Sequence, residues 1–130
     1  MRELTKAEEQ VMQVLWDIEK GFVKDIIEQL PSDKSGKKPA YNTISTIVRI
    51  LEDKGFVQHN SHGKSHEYYP AIEKKEYSDF FLKSVMSRYF GSSFKQMISF
   101  FVKENNIDIN QFDELMKDVE DDIKKDSQQE

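Results

Sequence analysis

The most regular hydrophobic pattern in the chain lies between Ala40 and Phe56. Apolar side chains recur there at the three- and four-residue spacing of a helix with one buried face; they are Ile44, Ile47, Val48 and Leu51. The opposite side holds Asn42, Ser45, Arg49 and Asp53, with Thr43 and Thr46 on a flank, so it is rich in short hydrogen-bonding side chains and carries one arginine. An ordinary solvated helix face carries more Lys and Glu, whereas short polar side chains approach base edges and phosphates closely. The pattern predicts a helix with a DNA-reading face.

Two shorter amphipathic segments precede this reading helix, and a hairpin follows it. Thr5 and Glu8 have the spacing of a capping box at the start of the first helix. The second helix is expected from about residue 22 to residue 30, where a proline ends it. Short strands at 56–60 and 65–69, joined by a turn that contains glycine, indicate a β-hairpin. The order of three helices and a hairpin predicts a mainly α fold with a winged helix-turn-helix in residues 1–71.

Apolar positions from residue 72 onward indicate three further helices, over residues 72–126, followed by a polar tail at 127–130. Their apolar stripes are broader than the core of one small domain requires and would leave a patch exposed in a monomer. We therefore predict that they form a homodimer interface, with a ligand pocket lined by aromatic side chains as the alternative. The residues assigned to this interface are Tyr77, Phe81, Val85, Phe94, Met97, Ile98, Phe101, Phe112, Leu115, Met116 and Val119.

The net charge of −5 argues at first against nucleic acid, but the acidity is unevenly distributed. Residues 1–70 carry 10 Lys or Arg against 11 Asp or Glu, whereas residues 71–130 carry 9 against 13. DNA responds to the local field, so the whole-chain charge is a weak guide to binding. The chain lacks cysteine, a Gly-rich phosphate loop and an apolar run of the ~20 residues that span a bilayer. We expect a cytoplasmic protein that is not an enzyme and needs no cofactor.

Basic side chains flank the reading helix on both sides. Lys37 and Lys38 precede it in a Pro-rich loop, where they either contact phosphate or belong to a solvated linker. Tyr41 joins them at the start of the helix, and His62 and Lys64 fall at the tip of the hairpin, near the expected DNA backbone. A metal site of three hairpin histidines is disfavoured, because alternation along strands would send their side chains to different faces.

The segments LTKAEEQVMQVLW and AYNTISTIVRILEDKGFV, with a hairpin that ends in EYYP, resemble the penicillinase-repressor (BlaI/MecI-type) family of bacterial transcription regulators. The resemblance covers residues 4 to about 123. It implies a dimeric repressor that binds a palindromic operator, with half-sites roughly 34–36 Å apart or a multiple of that. It also implies that Asn42, Thr43, Ser45, Thr46 and Arg49 contact DNA, with the wing contributing around His62 and Lys64. We expect Arg49 to recognise guanine or, failing that, phosphate.

Two departures from that family concern the inducing signal. Family members that answer to β-lactams are inactivated by cleavage in the fifth helix, typically at an Asn-Phe bond; here the matching pair is Phe100-Phe101. The resemblance implies a membrane sensor-protease as a further partner. The copper-responsive branch carries a Cys-x-Cys motif, which a chain without cysteine cannot use. The other function compatible with the sequence is a winged helix that binds a protein partner, and the acidic total favours that alternative slightly.

Overall fold

The computed structural model describes residues 1–129 and is mainly helical. The elements are α1 (Lys6–Ile18), α2 (Val23–Gln29), α3 (Tyr41–Asp53), β1 (Val57–His62), β2 (Ser65–Pro70), α4 (Lys74–Phe90), α5 (Phe94–Glu104) and α6 (Ile109–Gln129). This order confirms the predicted fold class, a winged helix-turn-helix followed by a helical region. The chain divides into two compact units, one of residues Met1–Leu82 and one that begins at Lys83.

The core of the first unit forms where α1, α2 and α3 meet the hairpin. The predicted inner stripe of α3 is buried at Ile44, Val48 and Leu51, while Ile47 is half-buried beside it. From α1 the core receives apolar side chains at helical spacing, which are Val11, Met12, Val14 and Leu15. Burial of these stripes supplies the main stabilising free energy of the unit, at roughly 25 cal/mol for each Å² of apolar surface. The same packing turns the remaining faces of α3 outward.

The hairpin is antiparallel, with Val57 opposite Pro70 and His62 opposite Ser65. Gly63 adopts a positive φ of 63° in the two-residue turn, a conformation that glycine adopts without strain. Gly21 exchanges two backbone hydrogen bonds with Tyr68, at 2.9 and 2.8 Å, and so adds a one-residue bridge to the outer edge of β2. This bridge fixes the start of α2 against the hairpin.

Tyr77 packs in the core of the first unit, and this burial corrects its assignment to a dimer interface. Its side chain is buried, and its hydroxyl oxygen accepts a hydrogen bond from the Leu4 N–H at 2.8 Å. Its ring packs against Trp16 and Phe56, with centroid distances of 6.0 and 5.6 Å. The sequence pattern missed this placement because the first turns of α4 share the helical periodicity of the segment that follows them.

Glu8, near the start of α1, and Lys54, just after the end of α3, form a largely buried ion pair. The predicted capping box is present, since the Thr5 N–H donates to Glu8 Oε1 at 2.8 Å and the Glu8 N–H donates to Thr5 Oγ1 at 3.2 Å. The Lys54 ammonium donates to both oxygens of the same carboxylate, at 3.0 and 2.7 Å. Burial alone would raise the pKa of Glu8, but the hydrogen bonds from Lys54 and Thr5 outweigh it and hold that pKa below its usual value of 4.5.

Replacing Glu8 with Gln is expected to lower the free energy of unfolding at pH 7 by about 1–3 kcal/mol, because Lys54 loses a charged acceptor. A depressed pKa in the folded state contributes stability above pH 4.5 that disappears as the pH falls through the folded value. Urea unfolding of Glu8→Gln between pH 2.5 and 7 should therefore show a shallower loss below pH 4.5 than the parent.

Glu28→Gln makes the same chemical change at an exposed position of α2 and should alter stability by less than about 0.5 kcal/mol. If Glu8→Gln and Glu28→Gln behaved alike across this pH range, the ion pair would carry none of the expected stabilisation.

The second unit is formed by the end of α4 together with α5 and α6. Ser93 caps α5 by accepting a hydrogen bond from the Gln96 N–H at 3.1 Å. Asp108 and Gln111 exchange hydrogen bonds at the start of α6, at 3.3 and 3.2 Å, in the predicted capping-box pattern. Helix α6 continues to Gln129, so the predicted polar tail is helical as far as the structure describes it, and Glu130 lies outside the described residues.

Candidate nucleic-acid interface

Helix α3 presents three faces, because successive side chains are rotated by roughly 100° around its axis. The inner face enters the core at Ile44, Val48 and Leu51. A second face is turned toward the hairpin and lines a cleft with Tyr41, Ser45, Arg49 and Glu52. The third, here called the outer face, consists of Asn42, Thr43, Thr46, Ile50 and Asp53, and all five are exposed.

Short polar side chains occupy the first half of the outer face, as the sequence predicts. Asn42, Thr43 and Thr46 are exposed and follow one another at helical spacing. The Thr46 hydroxyl donates its proton to the backbone oxygen of Asn42 at 2.9 Å. Its oxygen can still accept a hydrogen bond, so Thr46 offers an approaching base an acceptor and a methyl group.

Ser45 is buried, with 9% of its surface exposed, which departs from the expectation that it contacts DNA directly. Its Oγ accepts a hydrogen bond from Arg49 Nη2 at 2.9 Å, one helical turn further along. Ser45 therefore orients the Arg49 guanidinium within the cleft. The four-residue spacing of the two side chains was visible in the sequence, but the position of the hairpin above them was not.

The cleft between α3, the start of α2 and the hairpin has a volume of about 740 Å³. Its lining includes three cationic side chains, from Lys24, Arg49 and Lys64, against one carboxylate, from Glu52, and the imidazoles of His62 and His66. Sequence reasoning missed Lys24, which reaches the cleft because the bridge between Gly21 and Tyr68 holds the start of α2 beside the hairpin. A cleft lined by cations suits an extended anion such as a phosphodiester strand.

The histidines of the hairpin fall into two groups. His59 Nδ1 lies 2.6 Å from Glu52 Oε2, and the His59 ring stacks on His66 with centroids 4.0 Å apart. His62 Nε2 lies 3.5 Å from Glu67 Oε1. Alternation places His62 on a different face from the stacked pair, as predicted, whereas His59 and His66 share a face because the strand register places 59, 61, 66 and 68 together. Within residues 1–129, no group of three or more His, Asp or Glu side chains has a metal-binding arrangement.

Tyr68 closes the inner end of the cleft. Burial and the nearby Glu52 carboxylate raise the pKa of its hydroxyl, so that group stays neutral at physiological pH. Its ring lies 5.7 Å from the ring of His59 and 6.1 Å from that of His66. These contacts between the rings of Tyr68, His59 and His66 hold the three side chains together on the hairpin side of the cleft.

The two loop lysines predicted to contact phosphate differ in their surroundings. The Lys38 ammonium donates to the backbone oxygens of Glu28, at 3.0 Å, and Leu30. A cation at the carbonyl end of α2 complements the helix dipole, so Lys38 caps α2, a role that competes with the predicted phosphate contact. Lys37 is exposed, and its backbone forms two hydrogen bonds with Asp33: its N–H donates to Asp33 Oδ1 at 2.9 Å, and its carbonyl oxygen accepts from the Asp33 N–H at 2.8 Å.

The seven other residues that were predicted to contact DNA lie at the surface of the first unit. They are Tyr41, Asn42, Thr43, Thr46, Arg49, His62 and Lys64. Those on α3 divide between its outer face and the cleft, and those on the hairpin surround the turn. The fold and this surface define a winged helix-turn-helix protein whose third helix has an exposed outer face.

The chain belongs to the penicillinase repressor family, whose sequence model matches residues 4–121. The methicillin resistance regulatory protein MecI of Staphylococcus aureus is 24% identical over 113 residues, which cover 87% of this chain and 89% of that protein. The penicillinase repressor of Bacillus licheniformis is 25% identical over 118 residues, covering 91% and 90%. The solved complex structure of hsRosR-S4 has a TM-score of 0.53 at 19% identity, covers 94% of this chain and 91% of that one, and shares the fold.

Among the described residues, no helix is long and apolar enough to cross a membrane.

Proposed function

We propose that this protein is a transcriptional repressor that binds a palindromic DNA operator as a homodimer. The observation that supports this most directly is the exposed outer face of α3 beside a cleft lined by Lys24, Arg49 and Lys64. Membership of the penicillinase repressor family supports the same function. Repression is then steric, because the bound dimer covers promoter sequence, and no catalytic step is required.

In this proposal α3 enters the major groove and turns its outer face toward the bases. Asn42, Thr43 and Thr46 approach base edges, whereas the cleft receives one strand of the phosphodiester backbone. Tyr41 lies where the cleft begins, and His62 and Lys64 approach phosphates from the wing. The cationic lining supplies a local positive field even though the chain carries a net charge of −5.

The helical region from residue 72 onward supplies the dimer interface in this proposal. Within α5 and α6 the described side chains are all exposed or half-buried, although many are large and apolar. Exposed apolar surface of this extent favours a protein partner, and a twofold pairing covers the same patch on both copies. The proposed interface residues are Phe81, Val85, Phe94, Met97, Ile98, Phe101, Phe112, Leu115, Met116 and Val119.

A ligand pocket lined by aromatic side chains is the less favoured use of the same helices. The cavity between α5 and α6 measures about 220 Å³ and is lined by Ile98, Val102, Ile109 and one aromatic residue, Phe112. Ligand pockets usually measure roughly 300–1,000 Å³. The dimer therefore accounts better for the exposed apolar surface.

Relief of repression by a sensor-protease is a further part of the proposal, taken from the family resemblance. Phe100 and Phe101 are exposed, in the middle of α5. A protease binds its substrate as an extended strand, so cleavage between them requires local unwinding of α5.

Footprinting on the DNA upstream of the protein's own gene tests the proposed function. The expected result is a protected, inverted repeat whose half-site centres lie roughly 34–36 Å apart, or a multiple of that distance. Binding should weaken steeply as salt rises, because Lys and Arg displace counterions from phosphates. If no salt-sensitive complex formed with upstream or genomic fragments at micromolar dimer, the proposal would fail and a protein-binding winged helix would be favoured.

Arg49→Ala is expected to weaken binding to operator and to scrambled DNA alike, by roughly tenfold. The reason is that Ser45 holds the guanidinium in the cleft, which in this proposal receives the phosphodiester backbone. The salt slope should fall in magnitude by about one for each half-site. Arg49→Lys keeps the charge and serves as the matched control. A loss confined to the operator would instead show that Arg49 recognises a base, as the sequence first indicated.

A further inference from the structure

Ile50 is the one apolar residue on the outer face of α3, and 41% of its surface is exposed. It lies outside the hydrophobic core, which takes Ile44, Val48 and Leu51 from the same helix. One and two turns earlier along the helix are Thr46 and Thr43, which are also exposed. A branched apolar side chain thus stands at the end of a surface that is otherwise short and polar.

The fold provides only a small stabilising reason for isoleucine at this position. A β-branched residue has a lower helix propensity than Leu, Lys or Glu, and a side chain outside the core with 41% of its surface exposed gains less from burial than a core residue. The guanidinium of Arg49 does not cover the side chain, because Ser45 holds it in the cleft on a different face. Ile50 therefore presents its methyl groups to whatever approaches the outer face.

Thr46 sets the polarity of the surface beside Ile50. Its hydroxyl proton is engaged by the Asn42 backbone oxygen at 2.9 Å, so toward a base this oxygen acts as an acceptor. In the major groove an A·T pair offers an amino donor on adenine and a C5-methyl group on thymine, whereas a guanine offers acceptors. An acceptor with an adjacent apolar side chain matches the A·T pair and disfavours guanine.

We propose that Ile50 recognises a thymine in each half-site by contact with its C5-methyl group, while Thr46 accepts a hydrogen bond from the amino group of the adenine paired with that thymine. This inference rests on the proposed function, since it requires that α3 enter the major groove. Under this proposal, the second half of the outer face selects an A·T pair. It also makes Ile50 a determinant of specificity that sequence reasoning did not include.

Single replacements of thymine by deoxyuridine in the footprinted operator test this proposal, because each removes one methyl group and keeps base pairing. For the parent protein, one replacement in each of the two half-sites should weaken binding about 15-fold, because each methyl group that loses its apolar contact costs about fourfold. For Ile50→Ala the same replacement should have no effect. The readout is the dissociation constant by fluorescence anisotropy for each protein–DNA combination.

Ile50→Val shortens the side chain while preserving its branching, and it should retain part of the sensitivity to deoxyuridine. Thermal unfolding and sedimentation confirm that each variant is folded and unchanged in assembly. Equal sensitivity of parent and Ile50→Ala at every thymine would overturn the methyl contact and leave the proposed repressor function intact. Failure of the parent protein to bind any operator would instead contradict the proposed function itself.

Discussion

Leu115→Asp is expected to convert the proposed dimer into monomers and to weaken operator binding about 100-fold. Leu115 is 50% exposed in the protomer and lies on the apolar stripe of α6 with Met116 and Val119. A twofold interface contains each residue twice, so the substitution removes two leucines and places two carboxylates against apolar surface. Each lost leucine contributes roughly 1.5–3 kcal/mol on burial, and each buried carboxylate adds a desolvation cost.

Sedimentation velocity at micromolar concentration measures the change in assembly, and fluorescence anisotropy with a full operator and a half-site measures the change in affinity. The full operator should lose its advantage over the half-site, because avidity requires two linked reading helices. Asn110→Asp introduces the same charge on the opposite side of α6 and should leave the dimer intact. A dimeric Leu115→Asp protein, or a monomeric parent, would contradict the proposed interface.

The helical periodicity of α3 was enough to predict its inner face and the fold around it. Ile44, Val48 and Leu51 can be buried only if the helix packs on α1 and α2, and the glycine-containing turn then brings the hairpin back beside it. Capping signals at Thr5 and Ser93 fixed where two helices begin, because they depend on residues only three positions apart. Patterns of this local kind are readable without coordinates.

Placements that depend on distant segments were not predictable in the same way. Lys24 lines the cleft because a backbone bridge joins Gly21 to Tyr68. Tyr77 is buried where its hydroxyl oxygen accepts a hydrogen bond from the Leu4 N–H. Glu8 was recognised as a capping residue, but its partner Lys54 lies 46 positions away. Periodicity assigns a side chain to a face of its own helix and says nothing about which other element covers that face.

The same distinction explains why part of the predicted contact set changed its role. Ser45 and Arg49 share a face of α3 that looks solvent-exposed in isolation, yet the hairpin turns it into one wall of a cleft. Lys38 is basic and precedes the reading helix, but the free carbonyls at the end of α2 lie within its reach. The outer face kept its predicted character because nothing in the first unit packs over Thr43 and Thr46.

Thr46→Glu is expected to produce the largest loss among the α3 substitutions considered, at least about 100-fold in operator affinity. The substitution removes a short acceptor from the exposed outer face and places a carboxylate where the proposal brings bases and phosphates closest. Like charges brought together at an interface cost several kcal/mol, and 100-fold corresponds to about 2.7 kcal/mol. Glutamate has a good helix propensity, so the helix itself should remain folded.

Gln128→Glu matches the change in net charge at an exposed site near the end of α6, and its affinity should stay close to that of the parent. Thr46→Ser keeps the hydroxyl and should lose much less affinity than Thr46→Glu. Circular dichroism and sedimentation establish that all three variants are folded and assemble like the parent, so that anisotropy reports DNA contact alone. Because the carboxylate repels every sequence, binding of Thr46→Glu to scrambled DNA should fall as well. Near-parental operator affinity in a folded Thr46→Glu dimer would mean that another surface of the protein binds the DNA.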